Sequence, residues 1–180
     1  MAPCVLRNRG YMAPENVVVV ESIGAADAAA AIAELRQQGL EAECISVVAV
    51  DEQSGVIPVA YHFESGGLRS TAPQGMSWRL LETLRGCAVL VIPAERTVFL
   101  AGPFAASVVR TLQNHGLFGD LGPIAGGLYS LGIPRDAARE YELTALRGRP
   151  LVIVCGRARD VERARLIMEA RLEGMGQPNR

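Results

Sequence analysis

His62 and His115 are the chain's only two imidazoles, so acid–base chemistry at neutral pH would start from them. In YHFES, His62 stands two residues before Glu64, and on a strand the two side chains share one face, as a base and its orienting carboxylate would. His115 closes TLQNHG at a helix end, where the dipole alone favours a cationic ring. Glu140 and Tyr141 sit side by side in RDAAREYE and complete the cast for a hydrolase or transferase. Ser107, Ser130 and Cys155 are nucleophile types, yet none has a recognisable base beside it or a GxSxG elbow. Edge strand, helix end and packed helix account for all of these positions, so no catalytic residue is assigned.

Ligand-gripping chemistry has a second set of candidates. The glycine-rich stretch 116–134 carries GDLG, Gly119 to Gly122, and the pair Gly126-Gly127, whose backbone N–H groups could cradle a small ligand. Arg139, Tyr141 and His115 would add side-chain contacts to such a pocket. The competing reading is that these glycines let helices pack closely and turns form. Gly24-Ala25-Ala26-Asp27 opens a helix after a strand, but it has no GxGxxG, and Asp27 would repel an anion there. All 18 basic residues are arginine, which excludes lysine Schiff bases and a phosphate-loop lysine. Cys4, Cys44, Cys87 and Cys155 form no CxxC and have no histidine nearby in sequence. They read as reduced, mostly buried thiols, with no metal site and no cofactor.

The formal charge of −1 gives no bulk attraction to nucleic acid. Arginines do gather in the last third, at 147, 149, 157, 159, 163, 165 and 171, interrupted by Glu162, Glu169 and Glu173. Without stacking aromatics beside them they read as a solvated, ion-paired helix face rather than an RNA surface.

These residues hang on a recognisable order of elements. NVVVVESI reads as a strand buried on both faces, and AADAAAAIAELRQQG as a helix with Ala28, Ile32 and Leu35 inward and Gly39 in the left-handed position after its end. CISVVAV is the next strand, and the unit's natural closure is right-handed with parallel strands. VIPVAYHFE, with Pro58, reads as an edge strand. MSWRLLETLRG and FAASVVRTLQNHG read as helices. CAVLVI and TVFLAG, around PAER, fit either a hairpin or short helices. Within RDAAREYELTAL, Pro134 suits the first helical position. Ala137, Tyr141 and Ala145 or Leu146 share the packed face, and Arg139 pairs locally with Glu142. LVIVC is a buried strand, and Asp160 caps a helix over 161–173 with Val161, Ala164, Ile167, Met168 and Leu172 inward.

GLYSLGIPRDAAREYELTALRGRPLVIV, Gly127 to Val154, resembles the C-terminal signature of the general stress protein 17M-like family, a bacterial domain of unknown function. Gly132, Ile133 and Pro134 match the entry, Ala138 and Tyr141 the helix, Gly148 its end and Leu151–Val154 the closing strand. LAGPFAASV, Leu100 to Val108, resembles the family's middle segment, and the likeness extends over 16–173. The chain departs from the pattern in a longer, more polar stretch at 51–86 and in fewer small residues in the middle. The resemblance implies stress-associated expression and carries over no catalytic residue.

With 49% hydrophobic and 21% charged residues, the 180-residue chain reads as one globular domain over 16–173, after a loose arm at 1–15 and before a tail at 174–180. The expected fold is α+β or α/β: a small ferredoxin-like sheet of residues 17–21, 45–50, 56–62 and 151–155, with a helical insertion at about 76–147. The N-terminal stretch lacks the apolar core of a secretion signal, and no apolar run reaches the ~20 residues of a membrane span. A cytoplasmic, non-enzymatic, stress-associated protein is therefore expected, acting as a homodimer or higher homo-oligomer or on a protein partner. The alternatives are a small-ligand sensor built on 116–134 and, behind it, a hydrolase or transferase.

Overall fold

The computed structural model describes residues 16–50, 87–91, 97–113 and 120–175. Five strands form one sheet: β1 (Val17–Glu21), β2 (Ile45–Val50), β3 (Cys87–Val91), β4 (Thr97–Ala101) and β5 (Leu151–Cys155). Their order across the sheet is β1-β5-β2-β4-β3, and every neighbouring pair is antiparallel. The helices are α1 (Ala25–Gln37), α2 (Phe104–Gln113), α3 (Pro123–Ser130), α4 (Arg135–Leu146) and α5 (Ala158–Met175).

Both faces of the sheet are covered, which explains the unbroken valine runs. Successive residues of a strand point to opposite sides. Val18, Val20, Ile45, Val47, Val152 and Val154 meet Ala28, Ala31, Ile32 and Leu35 of α1 and Val161, Ala164 and Met168 of α5. The residues between them, among them Val17, Val19, Val48, Leu151 and Ile153, meet Phe104, Val108, Ile124, Leu128 and Tyr141 of α2, α3 and α4.

The sequence expectation is amended in three places. First, β1 and β2 do run parallel, but β5 lies between them and pairs with both. A β-strand's hydrogen-bonding groups point to both sides, and here the chain returns from its far end to fill the gap. Second, 76–147 is not a helical insertion throughout: Cys87–Val91 and Thr97–Ala101 pair as adjacent antiparallel strands, the hairpin reading of that region. Third, the last helix begins at Ala158, so Asp160 is inside its first turn rather than its cap, and it runs to Met175. The strand read at 56–62, the helix read at 76–86, the arm at 1–15 and residues 176–180 lie outside the described residues.

Three helices end the same way. Gly39, Gly132 and Gly148 adopt φ of 86°, 93° and 82°, each just past a helix. The next amide donates back to the carbonyl of Leu35, Leu128 and Thr144 respectively. This is the double hydrogen bond of a Schellman turn, which needs a left-handed residue that glycine supplies without a Cβ clash.

Among the described strands, β1 lies at one edge of the sheet. Asn16 accepts from the Gly156 amide and Ser22 donates to Pro150, so the even residues of β1 face β5. The N–H and C=O of Val17 and Val19 point the other way and meet no strand among the described residues.

Candidate functional site

The junction between α3 and α4 gathers most of the residues that the sequence singles out. Glu142, from the middle of α4, accepts hydrogen bonds at Oε1 from the amides of Ile124 (2.9 Å) and Ala125 (3.3 Å). It thereby caps the start of α3, a role that a carboxylate performs well at the positive helix end. Gly122, the residue before α3, makes this possible: a Cβ there would stand 2.3 Å from the Glu142 carboxylate. Arg139 does not pair with Glu142 as expected. It meets Asp120, which also receives Arg135. These two pairs lie at the surface, where ion pairs contribute little.

Gly126 and Gly127 lie inside α3 and are buried. A Cβ on Gly127 would come within 3.0 Å of the Phe104 ring and of Val108, so this glycine lets α3 settle onto α2. Tyr141 is buried on the inner face of α4, with Ala138, Thr144 and Ala145, whereas Ala137 is only half-buried. Pro134 precedes the first helical residue by one position. Glu140 is exposed, whereas Tyr141, about 100° further round the helix, is buried. His115, like His62, lies outside the described residues.

Of the nucleophile types, Ser130 is occupied and Cys155 is muted. Ser130 Oγ donates to the Gly127 carbonyl at 2.6 Å, within its own helix. Burial, reinforced by Cys44, pushes the Cys155 thiol up to about 12, so it is protonated at neutral pH. Burial also pushes the Cys44 thiol up, with Asp160, Glu41 and Glu43 adding to it.

Two features escape the sequence reading. Glu21 ends β1 with a side chain only 1% exposed, 3.7 Å from Arg149 Nη1. A charged residue continuing a strand buried on both faces is the signal that could have found it. Ser22, next in the chain, is fully buried, and its Oγ makes no hydrogen bond. The second feature is Arg171 of α5, which donates to Asp27 (2.9 Å) and Glu34 (3.0 Å) and ties α5 to α1. Asp27 also accepts from the Ile23 amide, so its carboxylate fills the mouth of α1.

Among the described residues, no group of three or more His, Cys, Asp or Glu side chains is placed to hold a metal ion, and no helix is long and apolar enough to cross a membrane. No family model, curated protein or solved structure matches the chain.

Proposed function

We propose that the chain is a cytoplasmic, non-enzymatic protein that acts by self-association, joining a second copy along the β1 edge. The observation that supports this reading is the outward backbone of Val17 and Val19. Their N–H and C=O groups have no strand partner among the described residues. A strand edge of this kind is a template for pairing with another chain. Two β1 strands related by a two-fold axis are antiparallel and self-complementary, so one copy supplies what the other lacks. The association with stress rests on the resemblance of Gly127–Val154 to the 17M-like family. The finer reading of the sheet is a rearranged ferredoxin-like core. It is supported by two interlocked split units, β1-α1-β2 around β5 and the β4-to-β5 segment around β2. The packing of Gly127 against Phe104 and Val108 weighs against a glycine-lined ligand pocket.

Light scattering coupled to size exclusion tests the proposal. A dimer is expected at micromolar concentration, and Val19→Pro should convert it to a folded monomer, because the lost N–H faces away from β5. Amide exchange covers the case in which that variant fails to fold. In the native dimer, the Val17 and Val19 amides should exchange more slowly as concentration rises. A native monomer, or protection of these amides that is independent of concentration, would sink the proposal, since the edge would then be satisfied within one chain.

A further inference from the structure

We infer that, in the dimer joined along β1, the two copies of α5 pack side by side across the two-fold axis, with Arg165 of each copy paired to the partner's Glu169. This contact rests on the β1 pairing proposed above and adds a second layer to it. The helix beside the β1 edge is α5: it lies over β1 and β5, whereas α1 lies over β5 and β2. Two antiparallel strands joined in one sheet are related by an axis perpendicular to that sheet. Such an axis keeps both α5 helices on one face and runs them in opposite directions. Neighbouring strands are about 4.8 Å apart. Two helices that each cover the outer two strands of their own sheet then stand two strand spacings apart, about 10 Å, which is a helix-packing distance.

The side chains of α5 show which flank meets the partner. Val161, Ala164 and Met168 point to the sheet. On one flank, the Arg163 guanidinium lies beside Gly39, just past α1, and Arg171 reaches Asp27 and Glu34 of α1. At about 100° per residue, Ile167 falls on that same stripe, and Glu162, Arg165 and Glu169 fall on the opposite flank, on the free side of β1. Glu162 and Glu169 are exposed there. Arg165 is held loosely by its own chain: its buried Nε makes no hydrogen bond, and the Glu162 carboxylate is 3.6 Å away. The flank therefore reads negative, positive, negative along the helix. Arg165 and Glu169 straddle the middle of the 18-residue helix Ala158–Met175. Set against a reversed copy with full overlap, each arginine comes beside the partner's Glu169, giving two equal ion pairs.

Charge reversal tests the contact by light scattering coupled to size exclusion over a range of concentrations. Arg165→Glu sets carboxylates against each other across the axis, and Glu169→Arg sets guanidinium groups against each other. Each variant alone should raise the dimer dissociation constant about tenfold or more. A one-to-one mixture of the two should return it to near the native value, because every facing pair is again of opposite sign. Should Arg165→Glu fail to fold, Glu169→Arg, a change at an exposed position, must still weaken the dimer alone and recover in about 0.5 M sodium chloride, which screens the facing arginines. The inference is overturned if either folded variant dimerises like the native chain, if the mixture associates no better than its components, or if salt leaves Glu169→Arg unchanged. Val19→Pro separates this outcome from failure of the β1 pairing. A native dimer that Val19→Pro breaks and the charge reversals leave intact sinks the helix contact alone, whereas a native monomer sinks both.

Discussion

The two faces of the sheet are held by different means. On one side, α1 and α5 are the longest helices described, and each lays a stripe of alanine, valine, leucine or methionine on the strands. On the other, α2, α3 and α4 are shorter and are tied together by contacts between side chains and distant backbone. Ser46, on β2, accepts from the Phe104 amide and so anchors the start of α2. Glu142 caps α3 from within α4. Gly102 and Gly127 let backbone and ring approach where a Cβ would not fit. A layer of long amphipathic helices tolerates local change, because its stability is spread over many apolar contacts. A layer of short helices concentrates its stability at a few junctions.

Substitution can break this contrast. The largest effect is expected from Gly102→Ala. The new Cβ would stand 2.2 Å from the Ile45 carbonyl oxygen and 2.8 Å from Ser46 Cα, at a φ of +86°. Both neighbours are backbone of a central strand and cannot yield cheaply. A loss of about 3 kcal/mol or more is expected in urea unfolding, from overpacking plus the left-handed backbone. Glu142→Ala comes next, at about 1–2 kcal/mol, with Glu142→Gln closer to native because its amide oxygen can still accept from Ile124 and Ala125. The smallest effect falls on the other face. Arg171→Met keeps the apolar stem and removes the guanidinium from Asp27 and Glu34, for about 1 kcal/mol by thermal unfolding. If Arg171→Met proved costlier than Glu142→Ala, the long-helix layer would depend on a junction as well, and the contrast would fail.

The same contrast decides what the sequence could reveal. The valine strands, α1 with its stripe and Gly39, and LVIVC are legible because period, capping and burial lie within a few residues of one another. Strand order was not, since nothing local in Leu151–Cys155 says that it inserts between β1 and β2. Residues 87–101 stayed ambiguous because short apolar runs suit a strand or a buried helix equally. At the α3–α4 junction, helical spacing favoured Arg139 with Glu142, a pair three residues apart. The chain instead sends Glu142 to amides of another helix and Arg139 to Asp120, choices fixed only once the helices meet. Gly127 was readable as a special position, but whether its space admits a ligand or a phenyl ring was not.

The placement of β5 between β1 and β2 also has a consequence for synthesis on the ribosome. Of the described strands β1 emerges first, and its one described partner, β5, follows about 130 residues later. During that interval four consecutive valines lack that partner, and β2 lacks one of its two. Closing so distant a contact is slow, and an unpaired apolar strand is what aggregating chains and holdase chaperones both recognise. The last segments to be made are therefore the ones that end the nascent chain's exposure.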